Sequence, residues 1–179
     1  MSSILKVDTI QENGSGNGVT IDGLKIKDVS AGSVMSKPIL QIVTGTTATD
    51  TGVTATTSYT DTGLSASITP TSTSSKIMVM VSQTMQVTRD GGGEMVGRIN
   101  IMRATTEIGE WYYVAPEDGK RGPLQTAIIY VDSPSTTSAT TYKTQMRGST
   151  TDNSGSVRAN QQSASGESTS SIHLIEIAG

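Results

Sequence analysis

Thr, Ser and Gly dominate this sequence, and few compact folds accept such a composition. The 179 residues include 24 Ser, 28 Thr and 19 Gly, but no Phe, no Cys and a single Trp. Thr suits a pleated, half-buried surface, while Ser and Gly supply turns. No window of a dozen residues carries apolar positions at the spacing of an amphipathic helix. The composition therefore predicts short strands joined by tight loops, with almost no helix.

Length, charge and the missing cysteines exclude several classes of protein. A chain of 179 residues with a net charge of −3 suits one domain plus an appendage and lacks the basic clusters that phosphates require. No apolar stretch approaches the roughly 18 residues of a membrane-spanning helix, and Met1–Lys6 does not resemble a signal peptide. We expect a chain made in a cytoplasm, with no nucleic-acid partner, no membrane insertion and no disulfides. Its stability must come from packing or assembly.

Residues 1–36 contain too few apolar side chains to build a core. Within them, Asp22-Gly23 suits a two-residue type I′ turn and predicts a hairpin with one apolar face. An isolated hairpin is marginally stable in water, so identical copies are the most economical cover for that face. We predict that residues 1–36 form a docking or oligomerisation segment. Its contact residues are Val19 opposite Ile26 and Ile21 opposite Leu24.

Residues 37–179 show strand patterns about ten residues apart, separated by turn clusters such as Asp61-Thr62-Gly63. This spacing predicts an antiparallel β-sandwich of jelly-roll type. Lys76–Val81 is apolar on both faces, and the residues that follow alternate. We therefore expect this strand to be buried between two layers at its start and to have one face in water at its end. The polar segment Gln161–Ser170 reads as a solvated loop. The predicted strands are Ile39–Thr44, Ser58–Thr62, Leu64–Thr69, Lys76–Thr88, Glu94–Arg103, Glu110–Val114, Leu124–Asp132, Thr140–Gly148, Ser156–Asn160 and Ser171–Ile177.

Several motifs follow one another in a characteristic order. They are Tyr59–Pro70, Ser74–Val79, Tyr130–Pro134, Thr141–Lys143 and Ile172–Ile177, preceded by Ile4–Gln11 and Gly16–Gly23. In this order they resemble tail-fibre and virion structural proteins of phages, especially those of marine cyanobacteria. The resemblance implies a trimeric virion component whose head is similar to the jelly roll of collagen-linked trimeric heads. It implies no catalytic residue.

These observations together predict a trimeric tail-fibre or tail-tip protein that attaches the virion to its host. Its expected partners are further copies of itself, other virion proteins through residues 1–36, and a glycan or protein of the host surface. Two alternatives stay open. One is a capsid-decorating, baseplate or adaptor protein that binds only virion proteins, and the other is a carbohydrate-binding module or polysaccharide lyase.

Catalytic chemistry has few candidate residues in this sequence. The single histidine, His173, lies inside a predicted strand, where a packed or surface histidine is far commoner than a catalytic base. A metal shared by three copies of His173 is a weaker hypothesis. The carboxylates show no spacing that requires a shared glycosidase cleft. We therefore expect no enzyme activity, no metal and no cofactor. The carboxylates weighed are Glu94, Glu107, Glu110, Glu117 and Asp118.

Trp111, Tyr112 and Tyr113 gather the only tryptophan and two of the five tyrosines. They precede a loop that carries Lys120 and Arg121. Rigid aromatic side chains beside charges are typical of recognition surfaces, so we predict that these five residues contact a receptor. The alternative is that Trp111 and Tyr113 point inward and fill a core that lacks Phe.

Overall fold

The structure is a computed structural model that describes residues 19–21, 24–26, 38–54, 57–88, 95–114, 121–150, 155–163 and 166–179. Within these ranges the regular elements are all β-strands, and no helix there could cross a membrane. The all-β fold predicted from composition is confirmed. The chain divides into two compact units, Met1–Lys37 and Pro38–Gly179.

The first unit contains the predicted hairpin. Its strands are β1 (Val19–Ile21) and β2 (Leu24–Ile26), which pair antiparallel. Val19 lies opposite Ile26, and Ile21 lies opposite Leu24, which is the register that a two-residue turn requires. The turn itself lies outside the described residues, and the docking role of the four side chains stays a prediction.

Two antiparallel sheets and a short two-stranded ribbon make up the described part of the second unit. Their strands are β3 (Ile39–Thr47), β4 (Thr51–Thr54), β5 (Thr60–Ile68), β6 (Lys76–Thr88), β7 (Met95–Arg103), β8 (Thr106–Val114), β9 (Arg121–Asp132), β10 (Thr140–Thr150), β11 (Ser156–Ala159), β12 (Gln161–Ser163), β13 (Gly166–Glu167) and β14 (Ser170–Ile177).

Strand β6 organises the larger sheet. One side of β6 pairs with β14 over Lys76–Ser82 and with β11 over Met85–Thr88, and β9 pairs along the other side. β3 extends the sheet beyond β14, and β4 extends it beyond β11. The smaller sheet has the order β5-β10-β7-β8. The inner faces of the two sheets enclose one apolar core, which completes the predicted β-sandwich. Its fully buried members include Leu64, Ile77, Val79, Met95, Ile101, Tyr142, Met146, Ile172 and Leu174.

The predicted turn at Asp61-Thr62-Gly63 is wrong, because these residues lie inside the single strand β5. Lys143 of β10 pairs with Ser65, whereas Gln145 pairs with Asp61, so β5 carries extra residues at this point. Gly63 has a φ of 84°, a backbone conformation that is strained for residues with a side chain. The Asp-Thr-Gly sequence that predicted a turn therefore forms a β-bulge in a continuous strand.

Two further predictions are corrected. Gln161–Ser170 is not a plain solvated loop, because β12 pairs with β13 and Ser170 is buried at the start of β14. The burial of β6 is the reverse of the expected order. Met78 and Met80 stay partly exposed, whereas residues 83–87 are buried on both faces. Strand β4 was not predicted, since Thr51–Thr54 has too little apolar periodicity to be recognised.

Gly45 of β3 marks a close approach between the two sheets. A Cβ atom at this position would lie 2.0 Å from the backbone oxygen of Ser65 in β5 and 3.1 Å from Cγ2 of Ile172. A backbone carbonyl cannot move aside without disturbing its own strand. This edge of the sandwich is therefore closed by contact between backbones.

We expect Gly45→Ala to lower the free energy of unfolding by about 1–3 kcal/mol, because the methyl group overlaps the Ser65 carbonyl. Urea denaturation measures the change. Thr46→Ala, at the exposed neighbouring position of the same strand, is the matched control and should cost less. Equal effects of the two substitutions would contradict this account.

Glu176 of β14 is a buried carboxylate with no accessible surface. Gln41 donates from Nε2 at 2.5 Å, and Thr71 donates from its backbone nitrogen and its hydroxyl at 2.7 Å each. Burial alone raises the pKa of this carboxyl, but these donors outweigh it and lower the pKa to about 2. The ionised side chain thereby ties the loop after β5 to β14 and β3.

We expect Glu176→Gln to remove a pH-dependent part of the stability. Because the folded pKa lies below the ordinary value of 4.5, the ionised carboxylate stabilises the fold above pH 4.5. That contribution, about 3 kcal/mol, is lost as the pH falls towards 2.

Denaturant unfolding from neutral to acidic pH, at one protein concentration, measures the effect. The difference between wild type and Glu176→Gln should be large at neutral pH and shrink on acidification, whereas Glu107→Gln at an exposed position should change little. A difference that stays constant with pH would be the contrary result.

Candidate functional site

The three aromatic residues of β8 divide between the inside and the outside of the sandwich. Trp111 and Tyr113 pack against the core, and Tyr112 is 71% exposed on the outer face. Alternation along a strand produces this division. Lys120 lies outside the described residues, and Arg121 pairs through its backbone with Thr88. Receptor contact by these residues stays a prediction. Of the three aromatic residues, Tyr112 is the one whose side chain faces outward and could make such a contact.

A small apolar cleft lies beside the two inward aromatic rings. It has a volume of about 40 Å³ and opens between β8 of one sheet and β6 and β9 of the other. The ring of Trp111 lies over Gly109, where a Cβ atom would come within 2.6 Å of Cη2. A space of this size takes no more than a few water-sized groups. The cleft is a feature of packing between the sheet edges.

Glu110 lies at the centre of a polar cluster on the outer face of the smaller sheet. Tyr59 donates its phenol hydrogen to the Glu110 carboxylate, Arg98 donates from a terminal nitrogen at 2.5 Å, and Arg147 does so at 3.3 Å. Arg98 and Arg147 are direct cross-strand partners, and Arg98 also lies opposite Tyr112. One carboxylate thus separates two guanidinium groups that would otherwise repel. We call Tyr59, Arg98, Glu110, Tyr112 and Arg147 the Glu110 cluster.

Aromatic rings extend this cluster on both sides. The guanidinium carbon of Arg147 lies 4.8 Å from the centre of the Tyr59 ring, and that of Arg98 lies 5.9 Å from the Tyr112 ring. Both distances are within the range of a cation–π interaction. Each arginine is therefore held by a carboxylate at its end and by a ring along its face.

The protonation states of the cluster follow from these contacts. The hydrogen bond from Tyr59, and then those from the two arginines, lower the pKa of Glu110 despite partial burial. Burial, followed by the hydrogen bond to Glu110, raises the pKa of Tyr59 to about 12. Glu110 is therefore a stable anion at neutral pH, and it is poorly suited to donate a proton as a glycosidase acid must.

The other two described residues weighed for catalysis, His173 and Glu107, lie on different sheets. His173 lies on the outer face of the other sheet, where its Nδ1 is 2.9 Å from the Thr44 hydroxyl. Glu107 accepts a hydrogen bond from Asn100, while Glu94, Glu117 and Asp118 lie outside the described residues. Across the described ranges, no group of three His, Asp or Glu side chains is arranged to hold a metal ion.

Part of the outer face of the larger sheet is apolar. Ile42, Ile175, Met78 and Val131 lie in one cross-strand row over β3, β14, β6 and β9. The next row contains Thr44, His173, Met80 and Ile129 in the same strand order. Ile42, Ile129 and Val131 are 59%, 64% and 50% exposed. We call Ile42, Met78, Met80, Ile129, Val131 and Ile175 the apolar face.

Sequence patterns alone did not point to most of these residues. Arg98 and Arg147 alternate with buried residues in β7 and β10, so the sequence pattern could have shown that they point outward. Their contacts with Glu110 and Tyr59 could not be predicted in this way, since those contacts depend on how distant strands pair. The apolar face was hidden for the same reason, because its members come from four strands that are distant in sequence.

Comparison with known proteins identifies no family. No protein-family model matches the sequence. No curated protein sequence matches it either. Among solved structures, a mutant VP2 protein of infectious bursal disease virus from T=1 particles has a TM-score of 0.37 and 12% identity, over 77% of this chain and 36% of that chain. The structure of the Gx strain of that virus gives a TM-score of 0.36 and 13% identity, over 97% and 46% of the two chains. This chain therefore spans less than half the length of either.

We expect Glu110→Gln to lower the pKa of Tyr59 from about 12 part of the way towards 10, because a neutral amide no longer favours the protonated phenol. Alkaline titration followed by phenolate absorbance measures the shift, and Tyr59→Phe identifies the transition by removing it. An unaltered Tyr59 titration in the Glu110→Gln protein would contradict the hydrogen bond.

Proposed function

We propose that this chain is a structural protein of a phage particle, a trimeric tail-fibre or tail-tip component that attaches the virion to its host and has no enzyme activity. The order of the sequence motifs from Tyr59 to Ile177 supports a phage origin through its resemblance to virion proteins. The β-sandwich, with two very different outer faces, supports an adhesive and mechanical role.

The apolar face is the observation that carries the proposal. Soluble monomers rarely expose a large contiguous apolar patch, and such patches commonly mark assembly surfaces. Here six apolar side chains form adjoining rows over four strands, with Ile42, Ile129 and Val131 at least half exposed. A core lies directly behind this sheet, so the outward residues are not needed to complete the fold. Their burial requires a partner.

A second and third copy of the chain are the partners that we propose. The face contains no Asp, Glu, Lys or Arg in its two central rows, so identical faces can meet without burying unpaired charge. Closed symmetric assemblies are the rule for soluble oligomers. The threefold order comes from the resemblance to trimeric fibre heads. The hairpin of β1 and β2 adds a docking segment for other virion proteins.

The opposite face is suited to stay outside such a trimer. Charged and polar side chains cover much of the smaller sheet, where Lys143 bonds to Asp61 and the two arginines of the Glu110 cluster bond to Glu110. Burying those groups in an interface would cost their hydration. In the proposed trimer, this face therefore turns towards the surroundings and is available to a host surface.

We expect the wild-type protein to be a trimer and Ile129→Glu to be a folded monomer, because a charge within the apolar face cannot be buried without a partner. Native mass spectrometry measures the oligomer, and circular dichroism checks the fold. Ser65→Glu, at an exposed strand position of the other sheet, is the matched control and should stay trimeric.

A compact wild-type monomer, or a trimer that survives Ile129→Glu, would overturn the proposed assembly. The location in the virion needs a separate experiment. Immunogold labelling of the phage that encodes the chain should place it at the tail extremity. Label over the head would instead support the capsid-decorating alternative.

A further inference from the structure

The Glu110 cluster has hydrogen-bonding capacity that its internal contacts do not use. The Nε atoms of Arg98 and Arg147 are buried and have no partner among the described residues, and neither has the carbonyl oxygen of the Asn100 side chain. The carboxylate of Glu107 holds the amide nitrogen of Asn100 at 2.8 Å, so the carbonyl oxygen is the end left over. Unpaired buried polar atoms are costly, and several in one place indicate a missing polar partner.

These three unused atoms lie on the same outer face. Arg98 and Asn100 are two residues apart on β7, and Arg147 is the cross-strand partner of Arg98 on β10. The side chains of Arg98 and Arg147 are still 30% and 25% exposed, whereas Asn100 is 1% exposed. A ligand therefore reaches these atoms only where neighbouring side chains move aside. The group that completes this site must accept hydrogen bonds from two arginines and donate one to an amide.

Tyr112 supplies an apolar platform next to these atoms. Its ring is 71% exposed and lies directly opposite Arg98 on the neighbouring strand. An aromatic ring at a wet surface offers a flat apolar surface together with a polar tip. A ligand that fits here combines an apolar face with several groups that both donate and accept.

The balance of charges on this face indicates whether the ligand is charged. Arg98, Arg147 and Lys143 are balanced on this face by Glu110, Glu107 and Asp61. Five of these six groups form ion pairs, Arg98 and Arg147 with Glu110 and Lys143 with Asp61. The face therefore has no excess charge to attract an anion. Hydroxyl groups can satisfy both the donors and the acceptor without adding charge.

We propose that the outer face of the smaller sheet, at Arg98, Asn100, Tyr112 and Arg147, is a binding site for an uncharged saccharide. One sugar ring stacks on Tyr112, and its hydroxyl groups accept from the arginine Nε atoms and donate to Asn100. As the site of host attachment, it rests on the proposed function. As a binding site, it depends only on the geometry of this sheet.

The test is a binding assay on the full chain in its native oligomeric state. An array of neutral and anionic oligosaccharides gives the ligand class, and calorimetry with the best ligand gives its affinity. We expect neutral sugars to bind. Tyr112→Ala should weaken binding by about tenfold or more, whereas Tyr112→Phe, which keeps the ring, should retain most of it.

Two further variants separate the site from the rest of the face. Arg98→Lys keeps the charge but lacks the Nε donor, so it should also weaken binding. Thr141→Ala, exposed on the same sheet at the other end of β10, should leave the affinity unchanged. Tyr112 is largely exposed, so its substitution leaves the core intact.

The inference fails if the wild-type protein binds no saccharide, binds only anionic ones, or binds equally well after Tyr112→Ala. These outcomes are distinguishable from failure of the proposed function. A trimer at the phage tail that binds no sugar would leave the structural role standing. A protein that binds neutral sugar through Tyr112 as a compact monomer would remove the proposed assembly and keep the site.

Discussion

Backbone pairing along both sides of β6 is the constraint on which the rest of this structure depends. The strand is 13 residues long and pairs with β14 and then β11 on one side and with β9 on the other. Because side chains alternate between faces, this register decides which residues enter the core. A slip by one residue would exchange Met78 and Met80 with Ile77 and Val79. The register therefore creates the core and the apolar face at the same time.

The two outer faces follow from this arrangement and differ in chemistry. The larger sheet presents aliphatic and methionine side chains, whose removal from water favours assembly. The smaller sheet presents arginines, carboxylates and tyrosines whose contacts are mostly made among themselves. One face is suited to permanent contact with identical copies, and the other to reversible contact with a hydrated ligand. This division is the physical basis of both proposals.

Local patterns predicted those features that depend on neighbouring residues. The bounds of β6 and the register of the N-terminal hairpin agree with the structure, because a 2-residue period and a two-residue turn are local properties. The bulge in β5 was mistaken for a turn, since a glycine with positive φ occurs both in turns and in β-bulges. Strand β4 was missed, because its pairing with β11 compensates for a weak local pattern.

The amino-acid sequence by itself determined the all-β class, the lack of disulfides and the positions of most strands, because composition and alternation act over a few residues. Only the tertiary structure decided which strands are neighbours. That choice places Arg98, Glu110 and Arg147 in one cluster and joins Ile42 to Val131 through β14 and β6. Pairing between distant strands depends on the packing of the whole core, which no local pattern contains. Both candidate surfaces are consequences of that packing.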